Sequence, residues 1–317
     1  MTVAIPPNLD AIPRGQLVAG IAVGLVAASI GALYTVYARY GIAHGLSSSD
    51  ITFIRFSVAG IVTLPLLLYY LRTDATAIAA RWRVWLAVVL LAGPLFGLLM
   101  FTAFQFAPAS HAAVFPFSAM SILGTVFAAR FLGDPLTVRK GLGIGVVLIG
   151  LLLLSGLDRA SLTGRALIGD ALFIAAGCLW SGFGVLLRKY RLSPLQATAM
   201  VSFFALVTYV PVYLVTVGPA PLMSAAPHLL WVEAMVQGVV GGAGTLYAYS
   251  KMVELLGASR AAIFPALAPG IAALMAWPVL GHTPGAYEML GLAVAMAGLL
   301  ITVTRGPLRV RSQARAA

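Results

Sequence analysis

Charge is what this 317-residue chain has least of: charged side chains make up 9% of it against 61% hydrophobic, and mean hydropathy is +1.00. Soluble domains carry about 25% charged residues, so a water-soluble globular fold is excluded at once. The single cysteine, Cys178, excludes an intramolecular disulfide and any cysteine-built metal cluster. Acidic residues number 9 against 20 Lys and Arg, but no dense basic run with interleaved aromatics is present, so nucleic acid is not expected as a partner. Also missing are GxSxG, HExxH and GxxxxGK[ST], and GLGIG at 141–145 follows no strand. An enzyme is therefore not expected. Neither is a cofactor or a metal, because no set of ligands has metal-binding spacing.

What the chain does have is long apolar runs, and a spanning helix needs about 20 such residues. Ten fit, near 17–38, 51–71, 84–106, 109–130, 138–156, 168–188, 194–217, 229–250, 259–280 and 286–304. Together they leave about 100 residues for tails and connections, too few for a soluble catalytic or receptor domain. The first run is too long for a signal-peptide core and is expected to remain as a membrane helix. With the N-terminus inside, sixteen Lys and Arg fall on the inner side, three on the outer (Arg39, Arg159, Arg165), and the last, Arg55, within a span. That asymmetry predicts cytoplasmic termini.

The chain also repeats itself. ASHAAVFP at 109–116 returns as ASRAAIFP at 258–265, FLGD at 131–134 as VLGH at 279–282, and Leu46-Ser47 and Pro65 return as Leu192-Ser193 and Pro211. The repeat covers five spans. Five is odd, so the copies should enter the membrane from opposite sides. The expected fold is an all-α integral membrane bundle of ten transmembrane helices in two inverted five-helix repeats, 1–157 and 158–317.

These motifs, with Arg55 early in the second span and Gly169-Asp170, Trp180 and Arg188-Lys189 in the sixth, make the sequence resemble the EamA-like branch of the drug/metabolite transporter superfamily. Two departures stand out: His282 replaces the acid matching Asp134, and Ile30-Gly31 stands where Trp-Gly is common. The resemblance implies a secondary transporter in a bacterial inner membrane, moving small amphipathic metabolites by alternating access, with export the expected direction. Neutral or aromatic amino acids are a substrate class in keeping with it; a proton-coupled drug or cation exporter, a channel and a scaffold are the alternatives. The expected partners are a small-molecule substrate and the lipid bilayer.

Ionisable groups within spans are costly and mark function by default. Arg55 and Glu233 each sit about one turn inside an outer end, as does Glu288. Arg55 is read either as a vestibule charge or as a side chain that snorkels outward or pairs with Asp50. Glu233, followed by Gln237, Gly238 and Gly241-Gly242, is the carboxylate placed to couple transport to protons, although its shallow position favours facilitated movement. His111 and His282 are read as hydrogen-bonding residues at span ends. The neutral residues expected to line a substrate cavity are Tyr34, Ser118, Trp180, Gln237 and Tyr247, because aromatic rings with one polar atom suit an amphipathic guest. Tyr249 is assigned to the interfacial belt. Pro116, Pro265 and Pro269 each remove a helix hydrogen bond and are expected to kink helices beside the cavity.

Overall fold

A computed structural model describes residues 13–107, 109–155, 164–280 and 285–303. All its regular structure is helical: α1 (Arg14–Ala43), α2 (Ser48–Thr73), α3 (Ala75–Ala80), α4 (Trp82–Ala92), α5 (Pro94–Phe106), α6 (Ala109–Leu132), α7 (Val138–Ser155), α8 (Gly164–Tyr190) and α9 (Pro194–Thr216). Then follow α10 (Ala220–Ser224), α11 (Pro227–Glu233), a π-helical stretch (Ala234–Gly244), α12 (Thr245–Leu256), α13 (Ala258–Ala261), a 3-10 turn (Phe264–Leu267), α14 (Ala268–Leu280) and α15 (Ala286–Val303).

Among the described residues, eight helical stretches are long and apolar enough to cross a membrane, against the ten expected. The other two expected runs are helical as well, forming α7 and α15. Large apolar side chains such as Val18, Ile61, Leu142 and Val215 point outward, while Asp50, Arg55, His111, Asp170, Glu233 and Gln237 are buried. That distribution suits a bundle whose solvent is lipid.

Helices from the two halves interleave: α2 packs along α9, α6 along α8, α7 along α15, and α1 against α12 and α14. The matching positions found by self-comparison also share local geometry. α1 ends in a Schellman closure, with Gly45 at φ 97° and the N–H groups of Leu46 and Gly45 donating to the carbonyls of Gly41 and Ile42. α8 ends the same way, with Leu192 N–H on Leu187 O and Arg191 N–H on Arg188 O. There the left-handed position is held by Arg191 at φ 49°, which costs an L-residue about 1 kcal/mol. Arg191→Gly should therefore raise the thermal midpoint of the detergent-solubilised protein, by roughly 1 kcal/mol in stability. A fall would mean that the Arg191 side chain contributes more than its backbone costs.

Candidate functional site

The eighth expected span does not run as a regular α-helix. It enters as α11, widens into eleven residues of i→i+5 hydrogen bonding, and leaves as α12. Such widened turns are rare and concentrate at functional sites. Gly238, Gly241, Gly242 and Gly244 fall within it, and three of them let helices approach closely. A Cβ on Gly238 would lie 2.3 Å from Val58 Cβ, one on Gly241 would lie 3.0 Å from Arg55 Nη1, and one on Gly242 would lie 2.7 Å from Ala59 Cβ.

The wide turns also change which residues share a face. At about 100° per residue, a regular α-helix would carry Tyr247 within about 40° of the Glu233 face and turn Tyr249 about 160° away. In the structure Glu233, Gln237, Gly241, Thr245 and Tyr249, four residues apart each time, are all buried. Tyr247 is 41% exposed and Tyr249 only 2%. The expected roles of these two tyrosines are thus exchanged: Tyr247 faces outward and Tyr249 lies in the interior.

The buried face meets α1 and α2. Gln237 donates through Nε2 to the Tyr34 carbonyl at 2.8 Å, and Arg55 lies over the Tyr34 ring, 4.6 Å from its centroid. Arg55 is 2% exposed, so it does not snorkel. Nor does it pair with Asp50, which accepts from Ser47 N–H in a capping box and from the Tyr213 hydroxyl of α9. Glu233, the last residue of α11, is fully buried. Its carboxylate lies against Gly41, where a Cβ would be 2.8 Å from Oε1. Buried atoms without a hydrogen-bond partner include Arg55 Nη1, Glu233 Oε1 and Oε2, Gln237 Oε1 and Thr245 Oγ1.

Thr245 and Tyr249 connect this face to a second feature, a cavity of about 40 Å³ walled by Ala28, Phe117, Trp180, Tyr249, Phe264 and Pro265 among others. Trp180 anchors its aromatic side, with ring centroids 4.7 Å from Phe96, 4.8 Å from Tyr249 and 5.4 Å from Phe183. Pro265 lies in the wall, where the 3-10 turn interrupts its span. Pro116 and Pro269 adjoin the wall residues Phe117 and Ala268, and Pro116 lies within an unbroken α6. Ser118 is half-buried, with its hydroxyl unpartnered, and is not part of this wall. A much larger groove, about 690 Å³, lies between α4, α5 and α9, but its lining is almost wholly apolar and holds none of the expected site residues.

The sequence reading used Gly169-Asp170 as a mark of the family but gave Asp170 no role in a site. His111, expected at an interface, is fully buried and donates through Nδ1 to Asp170 Oδ1 at 2.8 Å. Gly169 lets α8 close on Ala107, a Cβ there meeting Ala107 Cβ at 2.5 Å, which draws the pair inside. The signal was an acid two residues inside a predicted span. His282 and the side chain of Glu288 lie outside the described residues. Among the described residues, no three His, Cys, Asp or Glu side chains converge on a metal site.

No curated protein matches the chain. A solved chain described only as "Crystal structure of protein" is 16% identical over 90% of this chain and 96% of its own, with a TM-score of 0.70, and so shares the fold. The EamA-like transporter family matches twice, over residues 18–156 and 167–304. Two matches, each covering one half of a helical bundle with an apolar exterior, place the protein in the membrane as a transporter, and the chain belongs to the EamA-like transporter family.

Proposed function

We propose that the protein is a secondary transporter that moves small amphipathic metabolites, with neutral and aromatic amino acids as the leading class, by alternating access and in the direction of export. The observation that carries this reading is the buried row on the eighth span, polar from Glu233 to Thr245, which leads to an aromatic-walled cavity. Unpartnered polar atoms inside a bundle cost several kcal/mol each unless a guest or water meets them. A cavity of about 40 Å³ admits only about two or three waters, so loading a metabolite requires the walls around Trp180 to part. In this reading the family's two repeats are five-helix units of opposite orientation, α7 and α15 complete the ten spans, and both termini face the cytoplasm of a bacterial inner membrane. Movement follows the substrate's own gradient, and no cofactor takes part.

One observation favours a second reading, proton-coupled export of drugs or cations: Glu233 is fully buried, as a proton-exchanging carboxylate would be. Counterflow in proteoliposomes, run with labelled neutral and aromatic amino acids, amines and quaternary ammonium compounds, separates the two. Saturable counterflow of a metabolite, with initial rates changed less than about twofold by a pH gradient, is expected. Transport confined to quaternary ammonium compounds and driven by pH would establish the second reading, and an inert panel would defeat both.

A further inference from the structure

Among the described residues, three buried oxygens that lie together lack a hydrogen-bond partner by geometry, Glu233 Oε1, Glu233 Oε2 and Gln237 Oε1, with the Gln237 side chain beside the Glu233 carboxylate. Both residues are fully buried. The orientation of the Gln237 amide follows from its bond to the Tyr34 carbonyl, which takes the nitrogen and leaves the oxygen free. The carboxylate lies against the last turn of α1 at Gly41. That turn offers it no spare donor, since the Gly45 and Leu46 N–H groups close the helix end on their own carbonyls. It presents instead the negative pole of the helix dipole. No ion pair within 4 Å joins Glu233 to Arg55, whose guanidinium stands over Tyr34 beside Gly241, two turns further along.

What balances such a site must be positive, small enough to fit beside a glycine, and able to donate hydrogen bonds. A primary ammonium group has three donors, one for each free oxygen. A quaternary ammonium has none and relies on aromatic faces, and the nearest ring, Tyr34, already has Arg55 over it at 4.6 Å. We propose that Glu233 and Gln237 bind the primary ammonium group of the transported molecule, with Gly41 providing the space in which the carboxylate sits. This deepens the reading of the eighth span as the substrate path and rests on it.

The test is thermal unfolding of the purified, detergent-solubilised protein, followed by tryptophan fluorescence. The probes are 2-phenylethylamine, its neutral analogue 2-phenylethanol, its trimethylammonium analogue and sodium chloride. Since a ligand that binds the native state raises the midpoint in proportion to its occupancy, 2-phenylethylamine alone should give a saturable rise. Glu233→Gln, which keeps the shape and removes the charge, should abolish the rise. Gln237→Leu, which removes one acceptor, should weaken the apparent affinity about tenfold, a loss of about 1.4 kcal/mol. Gly41→Ala should weaken it too by displacing the carboxylate.

An equal rise with sodium or with the trimethylammonium analogue overturns the proposal, as does a rise that survives in Glu233→Gln or no rise in the wild type. Should Glu233→Gln fail to fold, Gln237→Leu still decides, because unchanged affinity in that variant is incompatible with a three-acceptor site. The assay requires no transport. A midpoint shift without counterflow would defeat the proposed function and leave the ammonium site standing, and counterflow without a shift would do the reverse.

Discussion

Alanine at Gly150 or Gly298 should destabilise the protein by about 3 kcal/mol, while alanine at Gly141 or Gly145 should do no harm. All four are helix-interior glycines, and three lie on α7. A Cβ on Gly150 would stand 2.5 Å from the Ala295 backbone nitrogen and 2.8 Å from the Gly291 carbonyl; one on Gly298 would stand 2.7 Å from both Gly143 O and Val147 N. Those neighbours are backbone, which cannot rotate away, so α7 and α15 would have to separate along their contact. Lipid-facing helices have little hydrophobic drive to re-associate and depend on this close fit of small residues. At Gly141 and Gly145 nothing lies within 4 Å, and alanine there gains up to about 1 kcal/mol in helix propensity. Thermal midpoints of the four variants in detergent check the contrast. Equal effects at all four positions would mean that the α7–α15 contact does not hold the bundle.

This contrast also shows what composition can and cannot say. The Gly-rich run at 141–145 reads from sequence as packing, and α7 does pack by glycine. Yet Gly143 faces Thr302 of α15 while Gly141 and Gly145 face nothing, and only the placed helices distinguish them. The positions of helical runs were legible because lipid demands long apolar stretches, and the duplication was legible because a repeated ASxAA…FP survives drift.

The site was read in part. Tyr34, Arg55, Glu233 and Gln237 do assemble, and Trp180 does wall a cavity. Tyr249 was assigned to the interfacial belt from its place near the end of the span and Tyr247 to the cavity from its more central place; the wider turns, accumulated over eleven residues, carry Tyr249 inward and turn Tyr247 out. The four glycines in that stretch were visible, but glycine permits widening without requiring it. Asp50 was paired on paper with Arg55, one turn along the same helix. The structure gives it to Tyr213, 163 residues away, a contact that helical spacing cannot anticipate.

Glu233→Gln should abolish counterflow and gradient-driven transport of 2-phenylethylamine together, each by more than tenfold. A charge-assisted hydrogen bond from ammonium to carboxylate contributes about 1.5–3 kcal/mol, and a buried ammonium left facing a neutral amide also loses the solvation it gave up in water. Both assays require the substrate to bind, so both fail when binding does. A carboxylate that only exchanges protons would behave otherwise: the variant would lose pH-driven transport yet keep counterflow, which moves no net charge or proton. A carboxylate uninvolved in either would leave both rates within a few-fold of wild type. Initial rates in proteoliposomes, with and without an imposed pH gradient, distinguish the three outcomes. The first is expected because Glu233 is fully buried, its two oxygens have no geometric hydrogen-bond partner among the described residues, and the third such oxygen, on Gln237, completes the set that an ammonium group requires.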